Sequence, residues 1–256
     1  MFTLDCDRAY LYAHPERELT QGEIARYETA LAERARGVPA QYITGHQEFW
    51  GMDFIVSSAV LIPRPETEHV IETVLQLTNE AVRGGQPHTL RIADVGTGSA
   101  CIALALAKEL AEAEIHATDI SAAALEVARA NAARHQLEER IHFHETDLLK
   151  GLPREFDLVV ANPPYVGESE TDQVQLEVRK FEPRGAVFAG PSGTEVIARL
   201  IPQAHAALRP GGWLIMEISG TIADETQHLL RAWVDVAITP DLQGIPRVVR
   251  ARKHVA

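Results

Sequence analysis

Leu90-Arg91-Ile92-Ala93-Asp94-Val95, then Gly96-Thr97-Gly98-Ser99-Ala100, then Cys101-Ile102-Ala103-Leu104-Ala105-Leu106-Ala107 is the stretch that decides the fold of this 256-residue chain. A short apolar strand passes through a glycine turn into a helical run. Glycine at such a turn lets backbone approach a ligand closely, because no Cβ stands in the way. The dinucleotide fingerprint wants Gly or Ala at the third position of G-x-G-x-x-G, and Cys101 stands there. A nucleoside site is therefore expected in preference to a pyrophosphate cradle. Asp94, Gly96, Thr97, Gly98, Ser99 and Ala100 are its first candidate contacts.

Three further strand ends repeat the pattern. Residues 114–118 end in Asp119, whose carboxylate can accept from both ribose hydroxyls. Residues 141–146 end in Asp147-Leu148, an acceptor for an exocyclic amine beside an apolar cover for a purine face. The fourth apolar run, Phe156-Asp157-Leu158-Val159-Val160-Ala161, stops at Asn162-Pro163-Pro164-Tyr165. Neither proline has an N–H, so no strand or helix can continue and claim the neighbouring carbonyls. A cluster of acceptors beside an aromatic ring suits an –NH2 group on a flat amide or base, which points to N-methylation. Any one acid could merely cap the next helix. All four together are better explained by one crevice, since open α/β sheets bind ligands outside the carboxyl ends of their strands.

With these motifs in view, the chain resembles the class I S-adenosylmethionine-dependent methyltransferases, and within them the release-factor glutamine N5-methyltransferases. The resemblance rests on Gln41-Tyr42-Ile43-Thr44-Gly45, Glu48-Phe49-Trp50-Gly51, Leu61-Ile62-Pro63-Arg64-Pro65-Glu66-Thr67-Glu68, the Asp94 to Gly98 loop, Asn162 to Tyr165, and Phe181-Glu182-Pro183-Arg184. It implies a Rossmann-like seven-stranded α/β sheet, mostly parallel, with S-adenosyl-L-methionine as cofactor and peptide chain release factors as protein substrate. It also implies that Thr67 reaches the cofactor. Asn162, Pro163 and Tyr165 would be catalytic, and Asn162 would also border the cofactor. The Asn162 side-chain oxygen and the Pro163 carbonyl would accept the two N–H groups of a glutamine amide, with Pro164 beside them and Tyr165 packed on its plane. The chain departs from the family pattern at Ala100, where a further Gly is usual, and at Ser219, where Glu-apolar-Gly is usual. Its amino-terminal region also reads as shorter than the family's helical domain.

Composition fits a cytoplasmic enzyme, with a monomer favoured. At 46% hydrophobic residues the chain can bury a full core. A formal net charge of −12 argues against a long nucleic-acid footprint, which needs a basic surface. No apolar run reaches the roughly 20 residues of a membrane span. Cys6 and Cys101 are too few for a disulfide scaffold.

Residues 1–46 read as a helical substrate-docking region, with a Thr20-x-x-Glu23 capping box before a helix over 24–35. Residues 47–64 read as a β-hairpin linker, with β-rich segments around Gly51-Met52-Asp53 and Ser57-Ser58. Residues 65–256 form the methyltransferase domain, in which helices at 66–78, 99–111, 122–134 and 194–208 alternate with strands at 90–95, 114–118, 141–146, 157–161 and 213–218. The resemblance adds an antiparallel last strand near 246–250. Arg83-Gly84-Gly85-Gln86-Pro87 reads as a linker; its Gly-Gly-Gln copies the methylated tripeptide, but a turn explains it more simply. Arg64 and Glu66 could be functional or a structural ion pair. His142 and His144 share a strand face at metal-ligand spacing, but with no third ligand in sight no metal is expected. Two other functions stay open: methylation of an exocyclic amine of adenine or guanine in DNA or RNA, and a cofactor-binding scaffold without catalysis.

Overall fold

The computed structural model describes residues 2–83 and 89–255. The linker reading at 83–87 and the Gly-Gly-Gln reading fall on residues outside that description, apart from Arg83 at the end of a helix. The chain opens with α1 (Arg8–Ala13), α2 (Gln21–Ala35) and α3 (Ala40–Thr44). The capping box starts α2 as expected: Thr20 accepts from the Glu23 amide at 3.3 Å, and the Glu23 carboxylate accepts from the Thr20 amide at 2.8 Å.

A hairpin of β1 (His46–Phe49) and β2 (Met52–Ile55) follows. Its turn residues Trp50 and Gly51 both have positive φ, 51° and 61°, the conformation that matches a two-residue turn to the twist of its strands. The hairpin begins earlier than the sequence reading placed it, and Ser57-Ser58 belongs to a turn closed by the Val60 amide on the Ser57 carbonyl at 3.1 Å.

Then come α4 (Glu68–Arg83), β3 (Arg91–Val95), α5 (Cys101–Glu109), β4 (Glu114–Asp119), α6 (Ala122–Arg134), β5 (Ile141–Glu145) and β6 (Phe156–Ala161). Beyond them lie β7 (Val166–Gly167), α7 (Leu176–Phe181), α8 (Arg184–Val187), β8 (Phe188–Gly190), α9 (Glu195–Ala207), β9 (Leu208–Glu217), α10 (Ala223–Leu229), β10 (Val234–Pro240) and β11 (Pro246–Arg252). Seven strands make one sheet in the order β10-β11-β9-β6-β3-β4-β5. β9, β6, β3, β4 and β5 run parallel, and β11 is antiparallel to both its neighbours. The antiparallel strand was anticipated. The edge strand β10 was not, because Asp235 and Pro240 interrupt its apolar pattern and its exposed edge demands no continuous burial.

The sheet is buried on both faces. α4, α5 and the hairpin cover one, with Phe54, Ile71, Leu104 and Leu106 fully buried; α9 and α10 cover the other, with Ile197, Leu200 and Leu230. Strand order reverses between β3 and β6. Such a switch point splays the following loops apart and opens a crevice at the carboxyl ends.

Asn131 of α6 ties the hairpin to the glycine turn. This fully buried amide donates to the Ile55 and Ser99 carbonyls, both at 3.0 Å, and accepts from the Ile55 amide at 2.7 Å. Asn131→Ala should therefore lower unfolding free energy by at least about 1–3 kcal/mol, the cost of stranding buried polar groups. Urea denaturation monitored by circular dichroism checks this, and an unchanged midpoint would mean the clamp is not stabilising.

Candidate active site

At the switch point, the turn after β3 is shaped from both sides. Gly96 and Gly98 take φ of +71° and +55°, and a Cβ on either would meet nothing within 4 Å, so both face open space. The Thr97 amide donates to the Thr118 carbonyl at 2.8 Å, and the Gly98 amide donates to Asp119 Oδ2 at 2.9 Å. Ala100 holds φ +64°, the left-handed conformation in which glycine is the unstrained residue. Its methyl group is fully buried, and roughly 0.8 kcal/mol of burial per carbon offsets much of that strain. Ser219, the other departure, is extended at φ −92°, where any residue fits.

The turn forms one wall of a cavity of about 470 Å³. Thr67, Gly96, Thr97, Gly98 and Ser99 line it together with Asp119, Asp147, Leu148 and Asn162. Nine of the residues read from sequence as cofactor contacts thus converge from five separate segments. Asp94 and Ala100 do not line it and stand behind the wall. Asp94 is buried and accepts from the Thr97 hydroxyl at 2.6 Å, so it bears on the cavity through Thr97. Burial pushes its carboxyl up to about 7, an effect the Thr97 hydroxyl partly opposes. Asp119 also braces the turn: its Oδ1 accepts from the Ser121 amide at 2.9 Å, and each oxygen keeps a lone pair for a ligand hydroxyl. Asp147 faces the cavity in an ion pair with Arg199 of α9, which sequence reading missed.

A second cavity of about 590 Å³ adjoins the first, and Asn162 and Pro164 line both. Its own walls include Glu66, Pro163, Tyr165, Val178, Glu217 and Arg247. Asn162 Nδ2 donates to Thr67 Oγ1 at 3.0 Å, and the Thr67 hydroxyl donates to Glu217 Oε2 at 2.6 Å. The Tyr165 hydroxyl donates to Glu217 Oε1 at 2.9 Å. Burial raises Glu217 above the ordinary carboxylate range and raises the Tyr165 phenol as well; the Thr67 and Tyr165 hydroxyls and Arg247 oppose the rise at Glu217. Glu217 was absent from the sequence-derived candidates. The signal that could have found it is the rule that found the others, a carboxylate at the end of a parallel strand.

Arg64 and Glu66 do not pair with each other. Arg64 pairs with the buried Glu182, which also accepts from the Ile62 amide at 3.1 Å. The Phe-Glu-Pro-Arg segment thereby clasps the Ile-Pro-Arg-Pro segment, and Glu66 is left facing the second cavity. On the outer sheet edge, His142 and His144 are joined by Glu114 and His116. His116 Nε2 lies 2.7 Å from Glu114 Oε1 and its Nδ1 lies 2.9 Å from His144 Nε2. The Arg91 guanidinium, 3.3 Å from Glu114 Oε2, already supplies a cation there.

Over 255 residues the chain is 55% identical to the release factor glutamine methyltransferase of Koribacter versatilis (strain Ellin345), covering 99% of this chain and 88% of that protein. It is 41% identical to the protein of the same name from Xylella fastidiosa (strain 9a5c), covering 98% and 90%. The chain belongs to the release factor glutamine methyltransferase family. Family models described as "PrmC N-terminal domain" and "Methyltransferase small domain" match residues 1–45 and 75–179 of this family member. Among solved structures, the fold is shared with the hMettl16 catalytic domain in complex with MAT2A 3'UTR hairpin 6, at TM-score 0.62 and 17% identity over 96% of this chain and 92% of that one. A methyltransferase from Pyrococcus furiosus gives TM-score 0.56 at 17% identity, covering 92% of this chain and 100% of that one. The release factor glutamine methyltransferase fold thus carries an S-adenosylmethionine-dependent enzyme. The donor set fits that cofactor, with glycines that leave room for close approach, carboxylates for hydroxyls and an amine, and Leu148 as an apolar cover.

Asp119→Ala should weaken S-adenosylmethionine binding by about 1.5–3 kcal/mol, because it removes a charged acceptor and unties Gly98. Titration calorimetry measures this directly, and an unchanged affinity would refute the placement of the ribose at Asp119.

Proposed function

We propose that this protein transfers the methyl group of S-adenosylmethionine to the side-chain amide nitrogen of the glutamine in the Gly-Gly-Gln motif of peptide chain release factors. The observation that carries this reading is the position of Asn162. It lines both cavities, its Nδ2 donates to Thr67, and among the described residues no hydrogen bond claims its Oδ1. The names of the relatives that match over nearly the whole chain support the same substrate.

Bound in the first cavity, S-adenosylmethionine supplies an electrophilic sulfonium methyl group. A glutamine entering by the second cavity donates one N–H to Asn162 Oδ1 and the other to the Pro163 carbonyl. A primary amide is a poor nucleophile because its lone pair is delocalised into its carbonyl. Two acceptors fixing both N–H bonds turn the remaining lone-pair density toward the methyl carbon, and positioning of this kind can supply ~7–11 kcal/mol in favourable cases. The N–C bond forms as the C–S bond breaks, and positive charge grows on nitrogen. Asn162, Pro163 and the carboxylates Glu66 and Glu217 face that charge, and acceptors aimed at developing charge strengthen its stabilisation. The surplus proton leaves to water once nitrogen has become acidic, so no strong base is required before transfer. Tyr165, held by Glu217, packs on the amide plane.

In this reading residues 1–46 dock the release factor, 47–64 link, and 65–256 carry the chemistry. Exposed Tyr10, Tyr12, Tyr27 and Leu31 on α1 and α2 support a protein-docking role. The net charge of −12 favours a protein over a nucleic acid as substrate. No helix among the described residues is long and apolar enough to cross a membrane. The enzyme acts as a monomer in the cytoplasm, where release factors work.

Asn162→Ala should lower kcat on intact release factor by about 10²–10³-fold while leaving cofactor affinity within about threefold, since the acceptor acts chiefly in the transition state. Turnover near the parent rate would end the Asn162 mechanism. A free peptide spanning the Gly-Gly-Gln loop should be a much poorer substrate than the folded factor, because remote contacts hold the loop in reactive geometry. Equal rates would remove the docking role, and preferred methylation of DNA or rRNA would overturn the substrate.

A further inference from the structure

We propose that Glu217 is a positioning residue that sets the direction of a hydrogen-bond relay, Glu217 to Thr67 to Asn162, and so decides which end of the Asn162 amide faces the substrate. The proposal deepens the glutamine-methylation reading and rests on it for its kinetic part.

The argument is a count of protons. Glu217 sits at the carboxyl end of β9, 1% exposed, and in its ionised form it only accepts. The Thr67 hydroxyl carries a single proton, which it gives to Glu217 Oε2 at 2.6 Å. Toward Asn162 it can then offer nothing but a lone pair. Asn162 must meet that lone pair with Nδ2, at 3.0 Å, and this turns Oδ1 to the junction of the two cavities. Rotating the amide by half a turn would set Oδ1 against the Thr67 lone pair and strand both. The two ends of an Asn amide are nearly the same shape, so packing alone distinguishes them poorly. The relay distinguishes them electrostatically, in a buried site where an unmade hydrogen bond is costly.

Tyr165 completes the logic by occupying the other carboxylate oxygen at 2.9 Å. With two hydroxyls donating into one carboxylate, neither is free to turn its proton elsewhere. The same carboxylate thereby fixes Tyr165 and Asn162, at the fourth and first positions after Ala161. Thr67, Asn162 and Glu217 come from three segments far apart in the chain; pairing of β6 with β9 brings Asn162 and Glu217 to the same sheet end, and Thr67 bridges them.

Glu217→Gln tests the direction of the relay with little change of shape. Its Nε2 would have to face Thr67 or Tyr165. Facing Thr67, it turns that hydroxyl into an acceptor and sends the hydroxyl proton to Asn162, which flips the amide. Glu217→Gln and the isosteric Thr67→Val should each cut kcat on intact release factor by about 10- to 150-fold, matching 1.5–3 kcal/mol for a lost charged hydrogen bond; for Glu217→Gln, whose residue lines the second cavity and not the first, cofactor affinity should stay within about threefold. Thr67→Ser, which keeps the hydroxyl, should restore most of the rate. The double variant Glu217→Gln/Thr67→Val should be no slower than Thr67→Val alone, because the second change breaks a relay already broken. Losses that multiply, or a Thr67→Val enzyme at the parent rate, would overturn the relay.

A readout independent of turnover separates this inference from the substrate assignment. In protein with 15N-labelled asparagine, one Asn162 side-chain N–H should exchange slowly in the parent and quickly in Glu217→Gln. If the parent methylates no release factor but this exchange difference is present, the substrate reading fails and the relay stands. If the exchange is the same in the parent, in Glu217→Gln and in Thr67→Val, which breaks the relay whichever way the Gln faces, the relay is refuted whatever the substrate.

Discussion

A carboxylate buried in a protein interior must be surrounded by donors, or it costs more free energy than the fold can supply. Glu217 imposes that constraint at the end of β9, and the site is assembled around its solution. Thr67 comes from the segment before α4 and Tyr165 from the loop after β6, and both give their hydroxyl protons to it. Glu182 does the same a few residues further out, gathering the Ile62 amide and the Arg64 guanidinium. Two buried acids therefore hold the Ile-Pro-Arg-Pro-Glu-Thr segment, Glu217 to the end of β9 and Glu182 to the turn after α7. Without them the loop carrying Thr67 would lack a fixed position relative to Asn162.

The glycine turn is held in a comparable way from the opposite direction. Backbone amides that a ligand-binding turn leaves unpaired must be satisfied by something. Here the Thr118 carbonyl takes Thr97, and Asp119 takes Gly98. Asn131 then reaches the Ser99 carbonyl from α6 while holding the hairpin with its other bonds. The first cavity is therefore held by hydrogen bonds where it touches this turn, and Asp119 and Asp147 line it beside the turn. Ala100 is tolerated in a left-handed conformation because it is enclosed by the core and its methyl group is useful there.

Two cavities sharing Asn162 and Pro164 impose a division of labour. In the proposed reading the electrophile and the nucleophile enter by different cavities and meet at Asn162, with Leu61 and Ala186 also shared by the two walls. Prolines suit that place, since a backbone unable to donate keeps its carbonyls for the substrate and cannot relax into a strand. In the proposed mechanism this segment also removes the need for a base, because orientation replaces deprotonation as the means of exposing nitrogen lone-pair density.

Much of this was legible in the residues. Alternating apolar runs and turn signals showed the order of helices and strands from α4 through β6, and α9 and β9 beyond, because each element is fixed by its own periodicity and caps: Thr20 and Glu23 start α2 without help from the rest of the chain. The short β7, α7, α8 and β8 between β6 and α9 were not read, being too short to show a period. The strand-end acids were legible too, since parallel strands deliver their carboxyl ends to one side. Pairing was not legible. Arg64 reaches Glu182 and not Glu66, Glu217 joins Thr67 to Tyr165, Arg199 meets Asp147, and β10 adds itself to the edge, all across separations at which local periodicity carries no information. The sequence alone determined which side chains could do the chemistry, because residue type and strand register are local properties. Which of them are bonded to each other, and hence which way Asn162 faces, was decided only in the tertiary structure, where burial removes water as a partner and leaves each polar group to find its own.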